Sequence, residues 1–118
     1  MKDVKHIIQD SIQVKTAMIE DCAGNIQIAA QVMIDAIKAS RKILWCGNGG
    51  SAADAQHMAA ELMGGLVSHE RPAIASIALT TDSSFVTAWA NDTGYESIFS
   101  RQIEGLGEPG DVLIAIST

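Results

Sequence analysis

The segment Lys42–Ser51, which reads KILWCGNGGS, decides the fold of this chain. Its first half is a short apolar run typical of a buried strand. Its second half is a glycine-rich turn, and a helix rich in small residues is predicted to follow from Ser51 to Met63. Glycine lets the backbone approach a bound group closely, and the first N–H groups of a helix have no partner inside the helix. A strand, a glycine-rich turn and a helix N-terminus therefore predict a binding site for an anion such as a phosphate.

The chain after residue 42 continues this alternation of strands and helices. Apolar runs predict three strands, at residues 43–46, 74–79 and 112–116. Three helices are predicted, at residues 51–63, 83–90 and 96–103. Asp82 or Ser83 is the predicted N-cap of the second of these helices, and Asn91–Gly94 is a predicted turn. Continuous apolar strands that alternate with helices indicate an α/β fold, in which helices flank a parallel sheet.

The first 40 residues precede this core and are predicted to form two helices with a break at Gly24-Asn25. The first helix is apolar on more than one stripe, which is more apolar surface than one small sheet needs. Homo-oligomer formation through these helices and ordinary packing within the chain both explain this pattern. We expect a single domain with a helical segment at residues 1–40, a candidate for oligomerisation, and a β/α core at residues 41–118.

The composition excludes several classes of protein. The 118 residues carry a net charge of −6 without a cluster of Lys or Arg, which argues against a nucleic-acid partner. No apolar run approaches the roughly 20 residues of a membrane span, and the N-terminus lacks the apolar core of a signal peptide. The two cysteines, Cys22 and Cys46, are far apart and indicate no disulfide framework. We therefore expect a protein of the reducing cytoplasm without a membrane partner.

Titratable side chains follow the glycine-rich turn on the next helix. His57 and Glu61 are four residues apart and so share a face, together with Asp54. Such a pair is often only a solvated surface contact. Beside a phosphate site, however, a carboxylate can abstract a proton next to a sugar carbonyl, and the pair can also supply two ligands to a divalent metal such as zinc. The residues alone leave these three interpretations open.

Two further pairs are candidates because of their positions. Asn91 and Asp92 lie in a predicted turn, where such side chains usually bond the backbone of the turn itself. Ser117 and Thr118 follow the third predicted strand, and ligand loops of parallel sheets begin beyond the carboxyl ends of strands. We therefore expect a hydroxyl-rich phosphate cradle to begin there and the domain to continue beyond Thr118.

The segment Gly47–Ala52 also fits the dinucleotide fingerprint G-x-G-x-x-G/A. That fingerprint requires an acidic residue at the end of the second strand, about 20 residues on. Glu70 precedes the second predicted strand, and Asp82 comes too late. A P-loop is excluded, because no G-K-[S/T] follows the glycines. We therefore favour a phosphorylated small molecule over a dinucleotide.

Several motifs in fixed order resemble the phosphoheptose isomerase family: CGNGGS, DAQHMAAEL, AND, IFSRQ and GDVLIAIST. These bacterial enzymes isomerise sedoheptulose 7-phosphate on a sugar isomerase (SIS) domain, and the resemblance covers essentially the whole chain. It implies a Rossmann-like three-layer sandwich with a five-stranded parallel sheet, of which about three strands are present. It also implies a homotetramer with sites between subunits. The implied reaction yields D-glycero-D-manno-heptose 7-phosphate, on the way to the heptose of lipopolysaccharide.

The resemblance also implies roles for individual residues. Glu61 matches the family's catalytic base, and His57 and Glu61 match two zinc ligands of some members, which makes zinc the expected cofactor. The implied substrate contacts are Asn48, Gly49, Gly50, Ser51, Glu61, Asn91, Asp92, Ser117 and Thr118. The family's acid partner, a late histidine, and its further zinc ligands follow the position of Thr118. These 118 residues alone are therefore expected to be inactive.

Two other classes of protein share this kind of domain. A protein that binds the bacterial replication initiator has the glycine loop but lacks a carboxylate at the position of Glu61. The presence of Glu61 in this chain favours the enzyme. Regulators that sense sugar phosphates usually carry a DNA-binding helical domain, whereas the leading helices here have no basic face. The sequence is therefore interpreted as an isomerase, with the initiator-binding module as the alternative.

Overall fold

The structure is a computed structural model that describes residues 1 and 3–118. The secondary structure in chain order is α1 (Val4–Asp21), α2 (Ala23–Lys38), β1 (Ile43–Gly47), α3 (Gly50–Gly64), β2 (Ser76–Ala78), α4 (Ser83–Asp92), a 3₁₀ helix (Tyr95–Ser97), α5 (Ile98–Leu106) and β3 (Val112–Ile116). The chain divides into two compact units, Met1–Val32 and Met33–Thr118. Within the described residues, we find no helix with both the length and the apolar composition needed to cross a bilayer.

The first unit contains α1 and the first part of α2. The two helices meet at Cys22, so the predicted break at Gly24-Asn25 is wrong. Helical hydrogen bonding continues across the junction, where Ile26 N donates to Cys22 O at 2.9 Å, and one glycine inside a helix costs only about 1 kcal/mol. Apolar side chains of this unit are 41–67% exposed: Val4, Ile7, Ile8, Ile12, Val14, Met18, Ile19, Ile26, Ile28 and Val32.

The second unit is built on a three-stranded parallel sheet in the order β2-β1-β3. The central strand aligns Leu44 with Ile77 on one side and with Leu113 on the other. Every residue of β1 is buried, as the continuous apolar run predicts for a strand covered on both faces. The α/β class and the parallel sheet are therefore confirmed.

Helices cover both faces of this sheet. Ile43 and Trp45 point to one face, where they pack with Ala36 of α2 and with two alanines of α3, Ala55 and Ala59. Small side chains at those helical positions let α3 lie close to the strands. Leu44 and Cys46 point to the opposite face, where they pack with Leu79, Phe99 and Ile103. The result is the predicted three-layer arrangement, with β1 at its centre.

The second strand is shorter than predicted, because it comprises only Ser76–Ala78 instead of residues 74–79. Ile74, two residues before this strand, bonds a helix instead: its backbone N–H donates to Leu62 O of α3 at 3.3 Å. Ser76 is buried, and its hydroxyl accepts a hydrogen bond from Trp45 Nε1 at 2.9 Å. A polar residue in the core is thus paired, as burial requires.

The predicted turn at Asn91–Gly94 is wrong at its first two positions, because α4 extends to Asp92. Asp82 caps the start of this helix by accepting from Phe85 N at 3.0 Å. At the other end, both the backbone N–H and the hydroxyl of Thr93 donate to Trp89 O, at 2.9 and 2.8 Å. These two bonds to one carbonyl hold the last turn in helical form.

Candidate functional site

The glycine-rich turn joins β1 directly to α3. A Cβ at Gly47 would lie 2.9 Å from the backbone carbonyl carbon of Ser51, so only glycine permits this close approach. Gly49 has a φ of +57°, in the left-handed region that glycine adopts readily. The first hydrogen bonds of α3 run back to the turn, where Ser51 N and Ala52 N donate to Asn48 O at 3.0 and 3.3 Å.

A cavity of about 290 Å³ opens at the carboxyl ends of β1 and β3. It is lined by Cys46, Gly47, Asn48, Ser51, Phe99, Ala115, Ile116, Ser117 and Thr118. Residues nearly 70 positions apart meet here because parallel strands end at the same edge of a sheet. The cavity therefore brings together four predicted substrate contacts: Asn48, Ser51, Ser117 and Thr118.

A smaller cavity of about 90 Å³ lies beside the turn and also includes Asn48 in its lining. Its wall includes Thr80 and Tyr95, and the Tyr95 hydroxyl donates a hydrogen bond to Asn48 Oδ1. Our sequence analysis did not single out Tyr95. A single tyrosine 47 positions from the glycine-rich turn carries no local signal that links the two.

His57 and Glu61 form the expected pair on α3. His57 Nε2 and Glu61 Oε1 are 3.1 Å apart, and the side chains are 71% and 26% exposed, respectively. Neither residue lines either of the two cavities beside the turn. The pair lies on the helix that begins at the turn, with the carboxylate the more enclosed of the two groups.

The end of the same helix is held by Arg71, which our sequence analysis also missed as a site residue. Its Nη2 donates to the carbonyl oxygens of Glu61 and Leu62 at 2.7 and 2.8 Å. Gly65 N also donates to Glu61 O, at 2.8 Å. The last carbonyl groups of a helix lack hydrogen-bond partners within the helix. The Arg71 guanidinium supplies donors to two of them and so holds the backbone at Glu61 and Leu62.

Asn91 and Asp92 occupy the last turn of α4, where Asn91 Nδ2 donates to Asp92 Oδ1 at 3.2 Å. Both residues are exposed, and neither lines the cavities beside the glycine-rich turn. Gly50 is the first residue of α3 and is likewise absent from both linings. The structure thus gathers four of the predicted substrate contacts around the larger cavity. Gly49 lines only the smaller one, and Glu61, like Gly50, Asn91 and Asp92, lines neither.

The donor set for a metal consists of His57 and Glu61. Among the residues that the structure describes, no group of three or more His, Cys, Asp or Glu side chains is placed to hold an ion. Tetrahedral zinc sites use three or four protein ligands of these types. An imidazole nitrogen and a carboxylate oxygen 3.1 Å apart suit two of those positions.

Cys46 lines the larger of the two cavities but is buried, and burial raises the pKa of its thiol. The thiolate is the nucleophilic form, so this environment suits a structural cysteine.

Another cavity, of about 500 Å³, lies at the opposite ends of the strands, beside Arg41 and Arg71. Because sites of parallel sheets lie at the carboxyl ends of strands, we place the candidate site at the glycine-rich turn.

Comparison with known proteins agrees with this geometry. The profile of the SIS domain matches residues 7–118 of the chain. The chain belongs to the SIS domain family. Phosphoheptose isomerase of Akkermansia muciniphila is 55% identical over 96 residues, which cover 81% of this chain and 50% of that protein. Phosphoheptose isomerase of Shewanella denitrificans is 48% identical over 118 residues, which cover all of this chain and 60% of that protein.

A solved structure agrees as well. Phosphoheptose isomerase GmhA from Neisseria gonorrhoeae superposes with a TM-score of 0.88 at 43% identity, over 98% of this chain and 59% of that one. The SIS-type α/β fold of the chain is therefore established. The chain spans 50–60% of the length of these three relatives.

Proposed function

We propose that this SIS domain is part of a phosphoheptose isomerase. The proposed enzyme converts sedoheptulose 7-phosphate to D-glycero-D-manno-heptose 7-phosphate for lipopolysaccharide synthesis. The observation that carries the proposal is the cavity at the end of β1, where Asn48 and Ser51 meet Ser117 and Thr118. About half of the residues are identical to those of proteins named phosphoheptose isomerase, which supports the same reaction.

The cavity suits the phosphate end of a sugar phosphate. Hydroxyl groups of Ser51, Ser117 and Thr118 are donors at its wall, and the turn adds backbone N–H groups. Backbone donors bind an anion without a positively charged side chain, which agrees with a net charge of −6. Asn91 and Asp92 are proposed to contact the sugar itself.

Glu61 is proposed as the base of the reaction. An aldose–ketose isomerisation removes a proton from the carbon beside the carbonyl group, forms an enediol and returns the proton to the neighbouring carbon. A carboxylate within reach of that carbon can carry the proton between the two positions. The Glu61 side chain is 26% exposed, and Arg71 holds the backbone of its helical turn.

We propose zinc as the cofactor, with His57 Nε2 and a Glu61 carboxylate oxygen as two of its ligands. When bound, zinc would polarise an oxygen of the sugar. The remaining ligands would come from outside residues 1–118. Both roles of Glu61, as base and as ligand, require an ionised carboxylate, so the same side chain suits either one.

We further propose a cytoplasmic homotetramer. The exposed apolar side chains of α1, such as Ile8, Ile12 and Ile19, support assembly through the leading helices, since buried apolar surface drives association. The two cysteines are both free, which suits a reducing compartment.

The test is an isomerase assay on the full-length gene product, with sedoheptulose 7-phosphate as substrate and the aldose 7-phosphate as readout. We expect turnover by the full-length protein and none by a chain limited to residues 1–118. Absence of turnover, with and without added zinc, would contradict the proposal and favour a non-catalytic module that binds the replication initiator.

A further inference from the structure

Asn48 lies between two cavities. It lines the cavity that contains Ser117 and Thr118, and it also lines the smaller one that contains Tyr95. Within the described residues, the bond from the Tyr95 hydroxyl to Oδ1 is the one hydrogen bond that its amide group makes to another residue. The Nδ2 group of Asn48 is therefore left as a donor for a ligand.

An asparagine amide is a directional group, because Oδ1 only accepts hydrogen bonds and Nδ2 only donates them. Its terminal torsion is broad and roughly two-fold, so an unrestrained amide exchanges the two ends readily. A hydroxyl can donate to Oδ1 or accept from Nδ2. The bond from Tyr95 therefore holds the amide in place, and in the arrangement seen here it leaves Nδ2 free. The two residues on either side in the chain, Gly47 and Gly49, have no side chain that could donate to Oδ1.

Tyr95 is 54% exposed, but its backbone is held in a short helix. It begins the 3₁₀ helix Tyr95–Ser97, and its carbonyl oxygen accepts a hydrogen bond from the backbone N–H of Ile98. Ile98 is only 2% exposed and so anchors this segment in the core. At the other end of the 3₁₀ helix, Ser97 Oγ accepts a hydrogen bond from Trp89 Nε1 at 2.8 Å.

We propose that Tyr95 is a positioning residue, whose hydroxyl holds the Asn48 amide in the arrangement observed here, in which Nδ2 donates to an oxygen of the bound sugar phosphate. The identity of this ligand rests on the proposed function. The orientation of Asn48 rests on the hydrogen bond itself.

The test is Tyr95→Phe in the full-length gene product, which keeps the ring and removes only the hydroxyl. With the amide no longer held by this bond, we expect KM to rise about three- to tenfold, the effect of one hydrogen bond. We expect kcat to change less than twofold, because a contact made equally in the ground state and the transition state affects KM alone. An unchanged KM would overturn the proposal.

A double-mutant cycle separates positioning from direct contact. If Tyr95 acts through Asn48, then Tyr95→Phe has no further effect on KM in an Asn48→Ala background. If the same loss persists in that background, the hydroxyl contacts the sugar directly and the proposal is overturned. Melting temperatures of the single variants are the control for folding.

A measurement without substrate keeps this inference distinct from the proposed function. The side-chain amide signal of Asn48 in a ¹⁵N–¹H spectrum is assigned by its loss in Asn48→Ala. We expect this signal to shift and broaden in Tyr95→Phe. An unchanged signal overturns the orienting role even in a protein that isomerises the sugar. Lack of turnover by the wild type, with a signal that responds, contradicts only the proposed function.

Discussion

Nε2 of His57 lies 3.1 Å from Oε1 of Glu61, one helical turn apart on α3. A side-chain pair at this spacing on a helix stabilises it by only about 0.2–0.5 kcal/mol. This small contribution to helix stability does not explain why a histidine and a glutamate are paired on α3. For the same reason, substitutions at either position are expected to report on chemistry and not on folding.

Replacement of Glu61 by glutamine tests the proposed base. Glutamine keeps the shape of the side chain but cannot take up a proton, so we expect turnover of sedoheptulose 7-phosphate to fall by about 10²–10⁴-fold. The melting temperature should stay within about two degrees of the wild type, because the lost pair contributes little. Glu104→Gln is the matched control, since Glu104 also pairs with a neighbour on its own helix, Arg101 at 3.1 Å. A near-normal rate in Glu61→Gln would place the base elsewhere.

Replacement of His57 by alanine tests the proposed metal site. Loss of one ligand should weaken zinc binding at least tenfold. Even a residue that only hydrogen-bonds a metal ligand, without touching the metal, contributes about tenfold or more to the affinity. The measurement is zinc content of the full-length protein after dialysis against a competing chelator. His69→Ala removes an exposed histidine away from α3 and should retain the metal. If zinc content and turnover are both unchanged in His57→Ala, the His57–Glu61 pair is only a surface contact.

Replacement of Arg71 by methionine should destabilise the end of α3. The guanidinium donates to two carbonyl oxygens, those of Glu61 and Leu62. A hydrogen bond that involves a charged group contributes about 1.5–3 kcal/mol to stability. We expect a loss of about 2 kcal/mol in the free energy of unfolding, measured by urea denaturation. Arg71→Lys keeps the positive charge but lacks the planar guanidinium that donates to two oxygens at once. It should therefore recover little of the lost free energy of unfolding. Full recovery by lysine would show that charge alone stabilises the helix end.

The starts of β1 and β3 are joined through Asp111. Its carboxylate lies 2.6 Å from Lys42 Nζ and accepts hydrogen bonds from the backbone N–H groups of Lys42 and Glu108 at 3.0 and 2.8 Å. Desolvation alone would raise the pKa of Asp111, but the hydrogen bonds from Lys42 and Glu108 outweigh it and lower the pKa to about 2. The hydrogen bond to Asp111 in turn raises the pKa of Lys42.

These shifts predict how stability depends on pH. The folded pKa of Asp111, about 2, is below the value of about 3.9 for an unfolded chain, so the folded state binds fewer protons in this range. The contribution of Asp111 to stability is therefore complete above about pH 4 and is lost as the pH falls toward 2. Asp111→Asn should be less stable at pH 7, and its urea midpoint should fall less steeply between pH 4 and 2. Glu70→Gln, at an exposed position, should keep the wild-type slope. Equal slopes for Asp111→Asn and the wild type would contradict this account.

The sequence by itself determined the strand–turn–helix unit of Lys42–Gly64 and the α/β class, because these depend on local signals. Apolar runs of strand length and the glycine-rich turn are readable from neighbouring residues. The structure then shows why glycines stand there, at the close approach of Gly47 to the Ser51 backbone and the positive φ of Gly49. The meeting of Ser51 with Ser117 was also predictable, since parallel strands end at one edge of the sheet. The ends of helices were less predictable. Helix α4 extends to Asp92 because the backbone N–H and the hydroxyl of Thr93 both donate to Trp89 O, and residue preferences do not reveal these two bonds.

Only the tertiary structure decided which distant side chains contact one another. Tyr95 meets Asn48 across 47 positions, and Lys42 meets Asp111 across 69. Arg71 reaches back to the carbonyl oxygen of Glu61 from beyond the end of the helix. None of these pairs has a periodic or motif signal, because each depends on where the packed sheet and helices place loops that are far apart in the chain. Local chemistry thus specifies the elements, and packing specifies the contacts between them.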